Sequence, residues 1–360
     1  MDDVEIAPAF HACFYEYGGL SLTPMDEIDH FRQRYLRYMH NYRTEAPYAT
    51  AFSSTFFHMI RNKALGAACG RHDGYDLVGL YDGAVMNIVA FTQTLLAHPL
   101  SFKGIGNRET ETPWWMLMDR ADWTLPLRHV LPTIRAIAKP PDEYPCDPIR
   151  RSFAEDIATF ALDFLFFHEL GHVIYGHGDF LEQEFGVYQL SERKAVSGLS
   201  PDLAKMLELS ADVFAIEQTG RPWLHGNQGT KFASSAEALV RWCTALNLLL
   251  MISDASEAPI ARYESAGHPH PAVRHVAAYG YMSKHAHVCG ARIMKNFDDA
   301  WLIALEEMGE IAEHFGLRSA IWAAISRDGR KILWEQERLS ELWSSKYQTA
   351  FDHYSRIRPA

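Results

Sequence analysis

The order of apolar and polar residues divides the chain into helical stretches joined by short punctuated segments. Phe153, Ile157, Phe160, Ala161, Phe164 and Phe167 recur at helical spacing behind Asp147-Pro148, which reads as an N-cap and a first helical position. Gly176 and Gly178 then supply a stop. Ser200-Pro201-Asp202 opens a second helix, expected to run to Gly220-Arg221-Pro222 and carrying Leu207, Leu209, Ala211, Phe214, Ala215 and Ile216. Tyr75 to Tyr81 has strand character after the turn at Asp73-Gly74, and Gly83 to Leu96 returns to helical spacing. The longest apolar stretch, Ala238 to Ile252, contains Arg241 and falls short of the roughly 20 residues that span a bilayer, so it reads as a buried helix. Residues 291–315 and 332–354 are amphipathic, with Trp301, Leu302, Leu305, Met308 and Ile311 forming one apolar stripe.

Residues 101–113 and 139–148, rich in Pro and Gly, are the predicted loops. The expected architecture is α+β and mainly helical. A small N-terminal β-sheet lies within residues 1–147 and the chemistry-bearing helices within 148–283, together one domain over 1–283. Residues 284–360 form a helical extension packed on that core.

His168-Glu169-Leu170-Gly171-His172 changes this outline into a chemical hypothesis. Residues four apart share a helix face, so His168 and His172 can turn ring nitrogens toward one metal ion, while Glu169 lies one position round and suits a proton-accepting role. A pair of core histidines satisfied by neighbouring groups is the alternative. Metal held by two protein ligands is poorly bound, and Glu208-Leu209-Ser210-Ala211-Asp212 offers a third. Glu208 would ligate, and Asp212 would accept the outer N–H of a ligand histidine. An exposed acidic face is the competing reading of that pair. Gly267-His268-Pro269-His270-Pro271 is an extended, proline-restricted stretch leading into a helix, where His268 can stabilise an oxyanion and Arg274 can hold the backbone or pair with a site carboxylate.

Taken together, His-Glu-x-x-His, a later Glu-x-x-x-Asp with Ala before the Asp, and His-Pro-x-x-x-x-Arg resemble the gluzincin metallopeptidases, especially the HtpX and CAAX-prenyl-protease type. The soluble phage-exclusion peptidases of the Lit type are the nearest in pattern, over about residues 40–280. The resemblance implies a zincin-like core, Zn2+ on His168, His172 and Glu208, Glu169 as general base, Asp212 behind a ligand histidine, and a transition-state role for His268. It also implies a protein or peptide substrate. The membrane spans of HtpX-type enzymes are missing from the pattern, and the order of motifs names no substrate. A second resemblance, to the ImmA/IrrE regulatory metallopeptidases, shares the His-Glu-Leu-Gly-His core and an acidic helix, and implies a regulatory protein with a structural zinc site and little or no turnover. A metzincin is excluded, because its Gly and His positions after the second motif histidine hold Tyr175 and Gly178. His177 reads as a rim or solvent histidine.

The strand at Tyr75–Tyr81 is the candidate for pairing with an extended substrate, through Val78 and Leu80, with an ordinary core strand as the alternative. Across 360 residues, Lys and Arg number 34 against 45 Asp and Glu, a net charge of −11, which argues against a nucleic-acid partner. Cys13, Cys69, Cys146, Cys243 and Cys289 are isolated and odd in number, and the N-terminus is acidic where an export signal is basic. A cytoplasmic protein with no membrane partner is the expectation. The oligomeric state is not legible.

Overall fold

The computed structural model describes residues 3–21, 26–44, 48–111, 144–187, 198–225, 232, 234–253, 267–314 and 320–356. Along the chain lie α1 (Asp3–Phe14), α2 (Asp26–Thr44), β1 (Thr55–Ile60), β2 (Ala67–His72), β3 (Tyr75–Tyr81) and α3 (Asp82–Ala97). There follow α4 (Pro148–Ile174), α5 (His177–Phe185), α6 (Pro201–Thr219), α7 (Arg221–Leu224), α8 (Ser235–Ser253), α9 (Pro271–Cys289), α10 (Ala291–His314), α11 (Ala320–Leu342) and α12 (Gln348–Tyr354). The fold is mainly helical with one three-stranded sheet, ordered β1-β3-β2. β3 runs parallel to β1 and antiparallel to β2.

Helices α4, α6 and α9 begin alike. Asp147 accepts from the Ile149 and Arg150 amides, Ser200 from Leu203 and His270 Nδ1 from Ala272, and each cap is followed by proline. Such a cap satisfies amides that the first turn leaves orphaned, and proline at the next position has no amide to orphan.

α4 runs through the middle of the main core, its buried Phe153, Ile157, Ala161 and Phe164 joining residues from α3, α6 and α8 in one cluster. α4 and α8 are each long and apolar enough to cross a bilayer, yet 78% of the relevant window is buried in either, as befits core helices. Arg150, in the first turn of α4, is fully buried and donates to the carbonyls of Leu96, His98, Ser101, Phe102 and Ile105. One guanidinium thereby fastens the segment after α3 to α4. Past α12, the Arg356 amide donates to the Ile174 carbonyl at the end of α4, and its side chain pairs with buried Asp76 of β3 and with Asp179 of α5.

Several expectations need correction. The boundary at 283 falls inside α9, and the break comes at Gly290 (φ 110) instead. Phe297, Trp301, Met308 and Ile311 of α10 belong to the same core cluster as α4, and only Leu302 of the expected stripe is exposed. The 332–354 stretch is interrupted by a π-helical turn over Trp343–Tyr347. Gly178 stops nothing, for it lies inside α5. Of the predicted loops, residues 112–113 and 139–143 lie outside the described residues.

Candidate metal centre

The site forms where α4 crosses α6. At the crossing, Gly171 lies between the two motif histidines and Ala211 between Glu208 and Asp212. A Cβ at Gly171 would stand 3.0 Å from both the Cα and the carbonyl oxygen of Ala211, so any side chain here would force α6 to give by a few tenths of an ångström. The helices' closeness brings the acidic motif onto the histidine pair.

His168 Nε2 and His172 Nε2 face each other at 3.3 Å. Glu208 closes the group, with Oε2 3.3 Å from His168 Nε2 and Oε1 3.7 Å from His172 Nε2. All three residues are buried and their donor atoms lie within 4.8 Å of one another, an arrangement that can hold a metal ion. Asp212 Oδ1 lies 2.8 Å from His168 Nδ1, as expected for a carboxylate behind a ligand. Arg274 grips the same carboxylate through Nε at 2.7 Å and Nη2 at 2.6 Å, a pairing with a site carboxylate.

His268 also reaches the site, from the segment ahead of α9. Its Nδ1 is 3.2 Å from Glu208 Oε2, so the contact observed steadies the ligand carboxylate. Glu169 is not one of the three clustered donors, and it hydrogen-bonds the thiol of Cys69 on β2.

Sequence reading missed three participants. His177 is buried, not a solvent histidine: its Nδ1 is 2.8 Å from His172 Nδ1 and its Nε2 is 3.2 Å from Ser210 Oγ. The signal was Gly176, whose left-handed φ of 67 reverses the chain after α4 and returns His177 to His172. Ser210 sat within the acidic motif, overshadowed by its carboxylates. Cys69 carried no local signal.

The proposed substrate strand is also corrected. β3 is the central strand: Val78 pairs with Phe57 and Cys69, and Leu80 with Met59 and Ala67, so its backbone is committed on both sides and both side chains are buried. β2 is the edge strand beside the site, where Cys69, Gly70 and Arg71 line a small cavity with His172 and His177.

Electrostatics bind these groups together. Burial alone would raise the Glu208 pKa, but His268 and His168 outweigh it and hold the carboxylate well below its usual range. Burial likewise lowers the His168 pKa, yet Asp212 and Glu208 overcome that and raise it to about 10. Burial lowers His172 to about 4. An ion held by this group would take the place of a proton on the ring nitrogens that ligate it. Comparison with protein-family models, curated proteins and solved structures finds no match. The chemistry of the site must therefore be argued from its own atoms.

Proposed function

We propose that this protein is a zinc-dependent endopeptidase of gluzincin type that cleaves a peptide bond in a protein substrate within the cytoplasm. The observation that carries the reading is donor spacing. Two ligand atoms each about 2.05 Å from zinc at a tetrahedral angle stand about 3.3 Å apart. The His168–His172 separation is 3.3 Å and the nearer His–Glu208 separation is 3.3 Å. A mixed imidazole and carboxylate set with three protein donors is also the pattern of catalytic zinc, which keeps one position for solvent or substrate.

His168, His172 and Glu208 would hold the ion, with Asp212 orienting His168 and His268 steadying Glu208. A bound zinc ion supplies Lewis acidity to water and to the scissile carbonyl. Glu169 accepts the proton of the attacking water and delivers it to the leaving amine. An extended substrate adds to the free edge of β2, in the role first assigned to β3. The expected test is Glu169→Gln: zinc retained at wild-type stoichiometry, peptide hydrolysis reduced by about 10²–10⁴. Unchanged hydrolysis with full zinc occupancy would refute the assignment.

One observation favours a second reading, a regulatory protein whose metal site does not turn over. The Cys69 thiol engages Glu169, the group the hydrolytic reading needs as a base. Zinc binding without any hydrolysis by the wild-type chain, on cell lysate or peptide libraries, would select this reading.

A further inference from the structure

The metal-site reading gives His168 an orienting partner, Asp212, and the hydrogen-bond pattern supplies His172 with a different one. Ser210 has one hydroxyl hydrogen, and the Leu207 carbonyl 2.9 Å away can only accept it. With that hydrogen directed to the nearer Leu207 carbonyl, Ser210 Oγ accepts from His177 Nε2 at 3.2 Å, which assigns a hydrogen to that nitrogen. An imidazole with a single N–H then presents a lone pair at Nδ1. Two ring nitrogens 2.8 Å apart share one hydrogen between them, so His172 must donate from its Nδ1 to His177 Nδ1. Its Nε2 is left as a lone pair facing His168 Nε2 and Glu208.

We propose that Ser210 and His177 are positioning residues, a neutral relay from the Leu207 carbonyl that locks His172 in its ligating tautomer. The two ligand histidines are thus oriented by unlike means. His168 leans on a carboxylate clamped by Arg274, while His172 leans on an uncharged ring whose own orientation is set by a hydroxyl.

The proposal rests on the metal-site reading, and two readouts separate their fates. The first is the tautomer of His172 in the metal-free full-length chain, read by long-range ¹H–¹⁵N correlation NMR on histidine-labelled protein. The second is Zn2+ affinity in competition with a chromophoric chelator. Wild type is expected to carry the hydrogen on His172 Nδ1. His177→Phe should shift it toward Nε2 and weaken Zn2+ binding by about 10–100-fold. His177→Gln offers an amide oxygen to accept from His172 and an amide N–H for Ser210, and should restore both readouts. Should His177→Phe fail to fold, Ser210→Ala removes the acceptor that fixes His177 and should populate both tautomers of His172. A wild-type hydrogen on His172 Nε2, or a tautomer and affinity indifferent to His177→Phe and Ser210→Ala, overturns the relay. A wild-type chain that keeps the Nδ1 hydrogen but binds no Zn2+ sinks the metal reading and supports the tautomer assignment.

Discussion

Replacing Gly171 with alanine adds one methyl group at the point where α4 and α6 touch. The added Cβ would meet Ala211 Cα and O at 3.0 Å and Phe214 Cβ at 3.1 Å. These contacts are tighter than ordinary van der Waals spacing, so the neighbouring atoms of α6 must give by a few tenths of an ångström. Glu208 rides on α6 and both histidines on α4, so the donor separations widen by a similar amount. Metal ligation tolerates about 0.2 Å. The stability change is smaller, because alanine favours a helix over glycine by about 1 kcal/mol and overpacking opposes it by about 1–3 kcal/mol. We expect Gly171→Ala to lose at least about tenfold in zinc affinity, comparable to losing a supporting contact of a ligand, with a net destabilisation of at most about 2 kcal/mol. Gly178→Ala is the matched control: the same chemical change inside α5, where nothing lies within 4 Å of the new methyl. Chelator competition and thermal melting on both variants decide the matter. Wild-type zinc affinity in Gly171→Ala would refute the claim that the helix crossing sets the donor spacing.

Other perturbations read different parts of the molecule. Arg150→Met removes a buried cation from five backbone carbonyls and should destabilise the fold by about 3–5 kcal/mol, seen as a lower urea midpoint at unchanged slope. His275 is buried against Trp301 with neither ring nitrogen hydrogen-bonded, and burial lowers its pKa from 6.5 to about 4. Because the folded value lies below the unfolded one, its contribution is full above pH 6.5 and falls away as pH drops toward 4, by up to about 3 kcal/mol. His275→Phe should flatten the stability profile across that window, and an unchanged slope would show that other groups set it.

The part of the site legible in sequence was the part encoded by helical spacing. His168 with His172, and Glu208 with Asp212, are each four apart, and a helix converts that interval into a shared face without help from the rest of the fold. His177 lies outside the helical interval: a left-handed glycine, Gly176, returns it to His172. Cys69 meets Glu169 only through tertiary packing of β2 on α4, which no local interval records. The misassigned β3 did carry a usable signal: Leu77, Val78, Leu80 and Tyr81 run apolar with only Gly79 between them, the signature of a strand covered on both faces.

Asp76 and the arginine that neutralises it are 280 positions apart in the chain. A ribosome adding about 5–20 residues per second leaves that carboxylate without its counter-ion for about 15–60 s after it is made. The cavity beside His172 counts both residues among its walls, so that wall is complete only once the two partners of this pairing meet. One wall of the cleft thus depends on a contact of high sequence separation, whose loop-closure entropy must be met before the contact forms.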